Sequence, residues 1–274
     1  MRRLTPSFKE RVWGSTKLEP YFPNSERKIG EIWFEGIPDP RLLIKFLFTT
    51  EKLSVQVHPD DAYARRHHDS FGKTEMWYVL AAEPGAQIAA GFRETITPER
   101  LREASLSGEI ESLLQWHTAL PGDTFYIPAG TVHAIGAGLT ICEIQQHSDV
   151  TYRLYDYGRP RELHLERAVE VSQLGPVSAL PRLTRTGQEE ILVASPYFTT
   201  SRLRISNSES YILPTTNAPL LILIEGSGLF GGHSTKAGDV WYLEDEESEI
   251  LFSGSATFLR VSHQSSIDAS ETHE

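Results

Sequence analysis

The sequence predicts a mainly β protein, a sandwich or barrel of many short strands with a few helices packed outside it. Two observations carry that prediction: most apolar runs are short and rich in β-branched or aromatic residues, and they are bounded by Gly, Pro or Asp at close spacing. In chain order, the runs that read as strands are 42–49 (LLIKFLFT), 53–58 (LSVQVH), 75–81 (EMWYVLA), 86–91 (AQIAAG), 124–127 (TFYI), 139–146 (LTICEIQQ), 220–225 (LLILIE), 239–243 (DVWYL) and 256–261 (ATFLRV). Helical pattern is confined to 60–68 behind Pro59, to 97–117 with Thr97 as N-cap and Pro98 in the first turn, and to 162–173 (ELHLERAVEVSQ).

The segment 174–189 (LGPVSALPRLTRTGQE) carries two prolines and little periodicity, and it marks a boundary. Residues 1–173 then form an N-terminal unit, 174–189 a linker, 190–263 a second β unit and 264–274 a polar tail. An internal echo relates the two units. PGDTFYI at 121–127 returns as AGDVWYL at 237–243, each a glycine and aspartate feeding an aromatic strand. Eleven residues beyond Gly122, past Pro128 and Gly130, stands His133. The same count from Gly238 passes Glu244 and Glu246 and ends on Glu249, so the second unit has lost both the turn chemistry and the histidine.

Composition narrows the function. The 274 residues carry 26 Lys and Arg against 37 Asp and Glu, a net charge of −11, with a pI near 5.4 and a mean hydropathy of −0.30. Nucleic acid and anionic membranes are therefore not expected as partners, and an anionic substrate must be held by a few local cations. No apolar run approaches the roughly 20 residues that span a bilayer. The start, MRRLTPSFKERVWG, leads into no signal-peptide core, and Cys142 is the single cysteine. The expectation is a cytoplasmic protein, monomeric or weakly dimeric, in which Cys142 is a small buried residue.

The strongest chemical signal begins at Gln56-Val57-His58, where strand alternation sends Gln56 and His58 out of one face. Glu75 opens the next aromatic strand, and the run GDTFYIPAGTVHAIGAG delivers His133 from a Pro/Gly-rich turn. Two imidazoles, one carboxylate and one amide suit a borderline divalent ion. Zinc is the first choice, and manganese, iron and cobalt also accept such nitrogen and oxygen ligands.

These residues resemble a family. Gly122, Pro128, Gly130 and His133 fit the second cupin motif, and Gln56, His58 and Glu75 fit a first cupin motif with glutamine at the usual first histidine. With VWGSTKL (12–18), GEIW (30–33), LSVQVHPDD (53–61), GKTEMWYVL (72–80), PAGTVHAIGAG (128–138) and EIQQHSDVTYRLYDYGR (143–159), the chain looks like a short bacterial type I mannose-6-phosphate isomerase from about residue 8 to 170. The resemblance implies a jelly-roll cupin barrel with a metal site, followed by a degenerate cupin-like β unit. It implies one zinc ion on Gln56, His58, Glu75 and His133, and interconversion of mannose 6-phosphate and fructose 6-phosphate.

Proton transfer between C1 and C2 of an open-chain sugar needs a stabilised enediolate, a base, a donor and a grip on the phosphate. The resemblance assigns Arg153, Lys73, Glu143 and Asp149 to the reacting carbons, with Arg153 stabilising negative charge or helping to move the proton. Lys73, Arg153 and Ser54 are the expected substrate contacts, Ser54 and Lys73 at the phosphate. Trp13, Trp33 and Trp77 read as core or wall aromatics. The chain departs from the larger relatives at Gly72, where they carry a histidine, and at His147, where asparagine is common. The large helical insertion of the long enzymes has no room here. A sugar-phosphate-binding cupin without activity is the rival from another class, and Lys73, Glu143, Asp149 and Arg153 beside four ligands argue against it. A metal-dependent oxygenase or decarboxylase would use a third histidine where Gln56 stands.

Overall fold

Alternation in the short apolar runs resolves into antiparallel sheets. The computed structural model describes residues 1–37, 41–180, 184–186, 189–214, 220–243 and 249–263. The expected tail 264–274, the central part of the linker, and Glu244 and Glu246 lie outside the described residues. The chain divides into two compact units, one of Pro6–Thr16 and Ser25–Pro181, the other of Met1–Thr5, Lys17–Asn24 and Arg182–Glu274.

Among the described residues the first unit holds two sheets. One runs in the order β2 (Pro6–Ser15), β3 (Ile29–Phe34), β4 (Leu42–Thr49), β11 (Leu139–Gln146), β6 (Glu75–Ala82) and β9 (Thr124–Ile127). The other runs β12 (Tyr152–Tyr155), β5 (Val55–Val57), β10 (His133–Ile135), β7 (Gln87–Phe92) and β8 (Leu114–Thr118). Their inner faces share a core that includes Leu47, Trp77, Val79, Ile88, Ala90 and Ile141, all buried. The outer face of the five-stranded sheet buries Val55, Val57, Ala89 and Ala134 against Leu101 and Ala104 of α2 (Pro98–Ser107) and Ala168 of α4 (Leu165–Val171). Period-two alternation therefore sends Val55 and Val57 to the helices and Gln56 inward. It likewise sends Ala134 to the helices, with His133 and Ile135 inward.

The fold class is as the sequence predicts, mainly β with few helices. One expected helix is corrected. The 97–117 segment begins as α2, with the Thr97 hydroxyl accepting the Arg100 N–H at 3.2 Å, but it stops at Gly108, which takes a left-handed φ of 83°. A single turn, α3 (Ile110–Leu113), follows, and the rest is β8, paired to β7 through Phe92↔Leu114 and Ala89↔Trp116. The strand at 53–58 contracts to Val55–Val57. Strands at Pro6–Ser15, Ile29–Phe34, Leu114–Thr118, His133–Ile135 and Tyr152–Tyr155 were not foreseen.

The second unit is a sheet in the order β1 (Arg2–Arg3), β18 (Val240–Tyr242), β16 (Leu220–Phe230), β19 (Glu249–His263), β15 (Phe198–Pro214), β14 (Glu189–Ala194) and β13 (Thr184–Thr186), with β17 (His233–Lys236) also on β16. Its glycine–aspartate turn matches that of the first unit bond for bond. Gly122 and Gly238 have φ of 94° and 98°, which glycine alone adopts freely. Gly122 N–H donates to Val79 O at 2.8 Å, Asp123 N–H to Leu120 O at 3.0 Å and Val79 N–H to Asp123 O at 2.9 Å. Gly238 to Leu223 O (2.8 Å), Asp239 to Lys236 O (3.0 Å) and Leu223 to Asp239 O (2.9 Å) repeat them. Each aspartate carboxylate also accepts the N–H three residues back, Leu120 at 2.8 Å and Lys236 at 3.0 Å.

Candidate metal centre

Gln56 of β5, His58 just beyond it and His133 of β10 meet Glu75 of β6 between the two sheets. Register places Gln56 beside His133 on one side and Arg153 on the other. His133 Nε2 lies 3.3 Å from Glu75 Oε1 and His58 Nε2 lies 3.7 Å from Glu75 Oε2. One ligand atom from each of His58, Glu75 and His133 falls within 4.8 Å of the others. The Gln56 amide faces His133 Nε2 at 3.3 Å, and its Oε1 accepts the Ser54 hydroxyl at 3.2 Å.

Both imidazoles are held ready to ligate. A carbonyl can only accept, so the Nδ1–H groups of His58 and His133 donate to Val150 O and Thr131 O, each at 2.9 Å. That fixes the tautomer and leaves each Nε2 lone pair pointing at the centre. Burial lowers the pKa of His133 to about 4 and that of His58 well below the ordinary imidazole value, with the charge of Lys73 adding to the shift at both. Both rings are therefore neutral near pH 7.

Glu75 is 1% exposed; the Lys73 ammonium lies 3.3 Å from its Oε2, and neither oxygen accepts a hydrogen bond of good geometry among the described residues. Burial raises its pKa to about 7 despite the opposing charge of Lys73. With Lys73 on the Oε2 side, the Oε1 side faces only the neutral His133 ring, and a cation there would complete the carboxylate. Two neutral imidazoles and a carboxylate at one point fit a borderline divalent ion. Lys73 comes from the coil before β6 and reaches the same point, its ammonium 3.0 Å from His58 Nε2 and 3.3 Å from Glu75 Oε2.

Glu143, expected near the reacting carbons, lies in a buried charge pair with Lys45, a residue not singled out from the sequence. Lys45, Glu143 and Trp77 stand side by side across β4, β11 and β6. Lys45 Nζ is 3.1 Å from Glu143 Oε1, and Trp77 Nε1 donates to Glu143 Oε2 at 2.8 Å. Burial alone would neutralise both groups. The carboxylates of Glu143, Glu31 and Glu75 outweigh it and hold the Lys45 pKa above the usual lysine value. Lys45 and Lys73 likewise hold Glu143 below the usual carboxylate value. Trp77 meets His133 edge-on at 5.4 Å, and Lys45 lies 4.6 Å from the centre of the Trp33 ring. The signal for Lys45 was available, since it is the one charge in LLIKFLFT.

The other expected site residues are spread around this core. Arg153 is in register with Gln56, its Nη1 donating to Glu162 O at 2.8 Å and its buried Nε without a partner among the described residues. Asp149 is exposed, in the loop after β11, and lines an open depression with His68, Glu162, His164 and Arg167. Its neighbour Val150 supplies the carbonyl that fixes His58. Trp13 and Trp77 are buried in the core, Trp33 is half-buried, and Cys142 is buried, its thiol pKa pushed up by burial. Among the described residues no helix is long and apolar enough to cross a membrane.

Comparison with known proteins is consistent in one direction. Mannose-6-phosphate isomerase ManA of Bacillus subtilis (strain 168) is 34% identical over 94% of this chain and 97% of its own length. The probable mannose-6-phosphate isomerase GmuF of the same organism is 33% identical over 95% and 98%. The crystal structure of the mannose 6-phosphate isomerase from Bacillus subtilis superposes with a TM-score of 0.85 at 28% identity, covering 94% of this chain and 98% of that one. No family model matches the chain.

Proposed function

The chain belongs to the mannose-6-phosphate isomerase family, and on that premise we propose that it interconverts mannose 6-phosphate and fructose 6-phosphate at the centre formed by His58, Glu75 and His133, with zinc as the ion and Gln56 as its fourth ligand. The observation that carries this reading is the Glu75 carboxylate, buried and unsatisfied between two imidazoles of fixed tautomer. Zinc bound there would supply a Lewis acid that orders and polarises the sugar's carbonyl and hydroxyl oxygens.

The chain's own residues supply the rest. Lys73 presents its ammonium at the ligand cluster and donates to a substrate oxygen. Arg153, aligned with Gln56 and with Nε free, stabilises the negative charge of the enediolate. Glu143 remains ionised beside Lys45 and keeps a fixed negative charge next to Trp77 and His133. Asp149, in the loop that carries the Val150 carbonyl, closes the substrate side. Ser54 and Lys73 receive the phosphate, Ser54 while holding the Gln56 amide. We also assign the protein to a reducing cytoplasm, from its single buried cysteine, and take it as a monomer or weak dimer.

A coupled assay for fructose 6-phosphate, run on purified protein before chelation, after it, and after Zn²⁺ is added back, tests the reading. Chelator-sensitive turnover restored by zinc is expected. A folded, fully metallated protein without turnover would point instead to a sugar-phosphate-binding cupin.

A further inference from the structure

Lys73 owes its place to a stretch of chain without regular structure. Residues 71–74, between α1 (Asp61–His68) and β6, are coil, yet the backbone N–H groups of Gly72, Lys73 and Thr74 are each tied down. The Gly72 N–H donates to Asp61 Oδ1 at 2.7 Å, the Lys73 N–H to Pro59 O at 3.0 Å and the Thr74 N–H to Gln146 Oε1 at 2.8 Å. The Gln146 N–H returns a bond to Thr74 O at 3.0 Å, and Gln146 Nε2 reaches Asp61 Oδ1 at 3.0 Å. One carboxylate oxygen and one amide thus close a ring around Gly72–Thr74. The amide suits the task because it accepts at one end and donates at the other. Gly72 fits the same contact, since a Cβ there would lie 2.5 Å from both Asp60 C and Asp61 N.

Glu75, two residues on, is anchored separately by pairing to Ile127 on one side and Gln145 on the other. Metal ligation can therefore survive a disturbance that moves Lys73. We propose that Gln146 and Asp61 are positioning residues that set the Lys73 ammonium against His58 and Glu75, so that their effect on turnover passes through Lys73. This rests on the reading that Lys73 touches the substrate. A displacement of about 1 Å in such a group is enough to cost about 100-fold in rate.

The test is a pair of double-mutant cycles, Gln146→Ala and Asp61→Ala each alone and combined with Lys73→Met. Each protein is assayed for bound zinc, unfolding temperature, kcat and KM. The single variants should keep stoichiometric zinc and lose about 10- to 100-fold in kcat. In the Lys73→Met background the same changes should cost less than about two-fold. Asp61→Asn, which keeps the acceptor oxygen, should stay within about three-fold of the parent. Equal losses in both backgrounds, unchanged kcat in the single variants, or a loss that follows zinc content would overturn the proposal. If Gln146→Ala does not fold, the Asp61→Ala cycle decides, because that carboxylate is partly exposed. Lys73→Met alone separates the two readings. Normal turnover there removes Lys73 from the reaction, whereas a slow Lys73→Met with additive losses removes only the clamp.

Discussion

Replacing Glu75 with glutamine should change how the metal-free protein's stability depends on pH. The Glu75 carboxyl stands at about 7 against an ordinary 4.5, so the folded state holds a proton that the unfolded state has released. That contribution is fully present below pH 4.5 and is lost as pH rises through 7. At about 1.4 kcal/mol per pH unit, that difference corresponds to about 3–4 kcal/mol, most of which falls between pH 5 and pH 8. His133, held near 4 against an ordinary 6.5, runs the other way, since its contribution is present above 6.5 and lost as pH falls toward 4. The two slopes overlap and mask each other in the parent. Glutamine does not titrate, so subtracting the Glu75→Gln curve from the parent curve isolates the carboxyl. Urea unfolding in chelator, followed by tryptophan fluorescence from pH 5 to pH 8, should show the parent losing about 2–3 kcal/mol relative to the variant. A difference that stays flat within about 0.5 kcal/mol would refute the argument that this carboxyl is buried and unsatisfied without metal.

Three further substitutions probe the surroundings. Lys45→Ala leaves the Glu143 carboxylate buried without its cation and should cost about 3–5 kcal/mol in urea unfolding, most of it recovered by Lys45→Met combined with Glu143→Leu; a loss below about 1 kcal/mol would show that water reaches the pair. Arg153→Ala should keep zinc and fold but lose about 100-fold or more in kcat in the coupled assay, and near-normal turnover would reduce the residue to a loop anchor. Gly72→Ala forces a methyl against the Asp60–Asp61 backbone and should destabilise by about 1–3 kcal/mol, read as a lower unfolding temperature; an unchanged temperature would mean that this contact yields freely.

The cluster of His58, Glu75 and His133 was legible in the sequence because its surroundings obey local rules. Gln56 and His58 declare a shared direction by alternation, and His133 follows a glycine- and proline-shaped turn. The supports were less legible because they are long-range or made by backbone. Nothing in the sequence around His58 says that Val150 O will hold its ring, and Asp61 and Gln146 are 85 residues apart. Helix-like spacing over 97–117 concealed β8, although Gly108 is the stop that the left-handed cap requires. The charged pattern of β2 (PSFKERVWGS) hid an edge strand, where one face meets solvent and alternation is weak.

The two matching glycine–aspartate turns bear on what remains when the ion is taken away. In the second unit the turn closes with the same four hydrogen bonds, although Glu249 stands where His133 would be. A bend that keeps its shape where no metal is called for owes that shape to its own backbone. The entry to β9 is therefore fixed by the turn itself, and taking an ion from the centre should leave that entry in place.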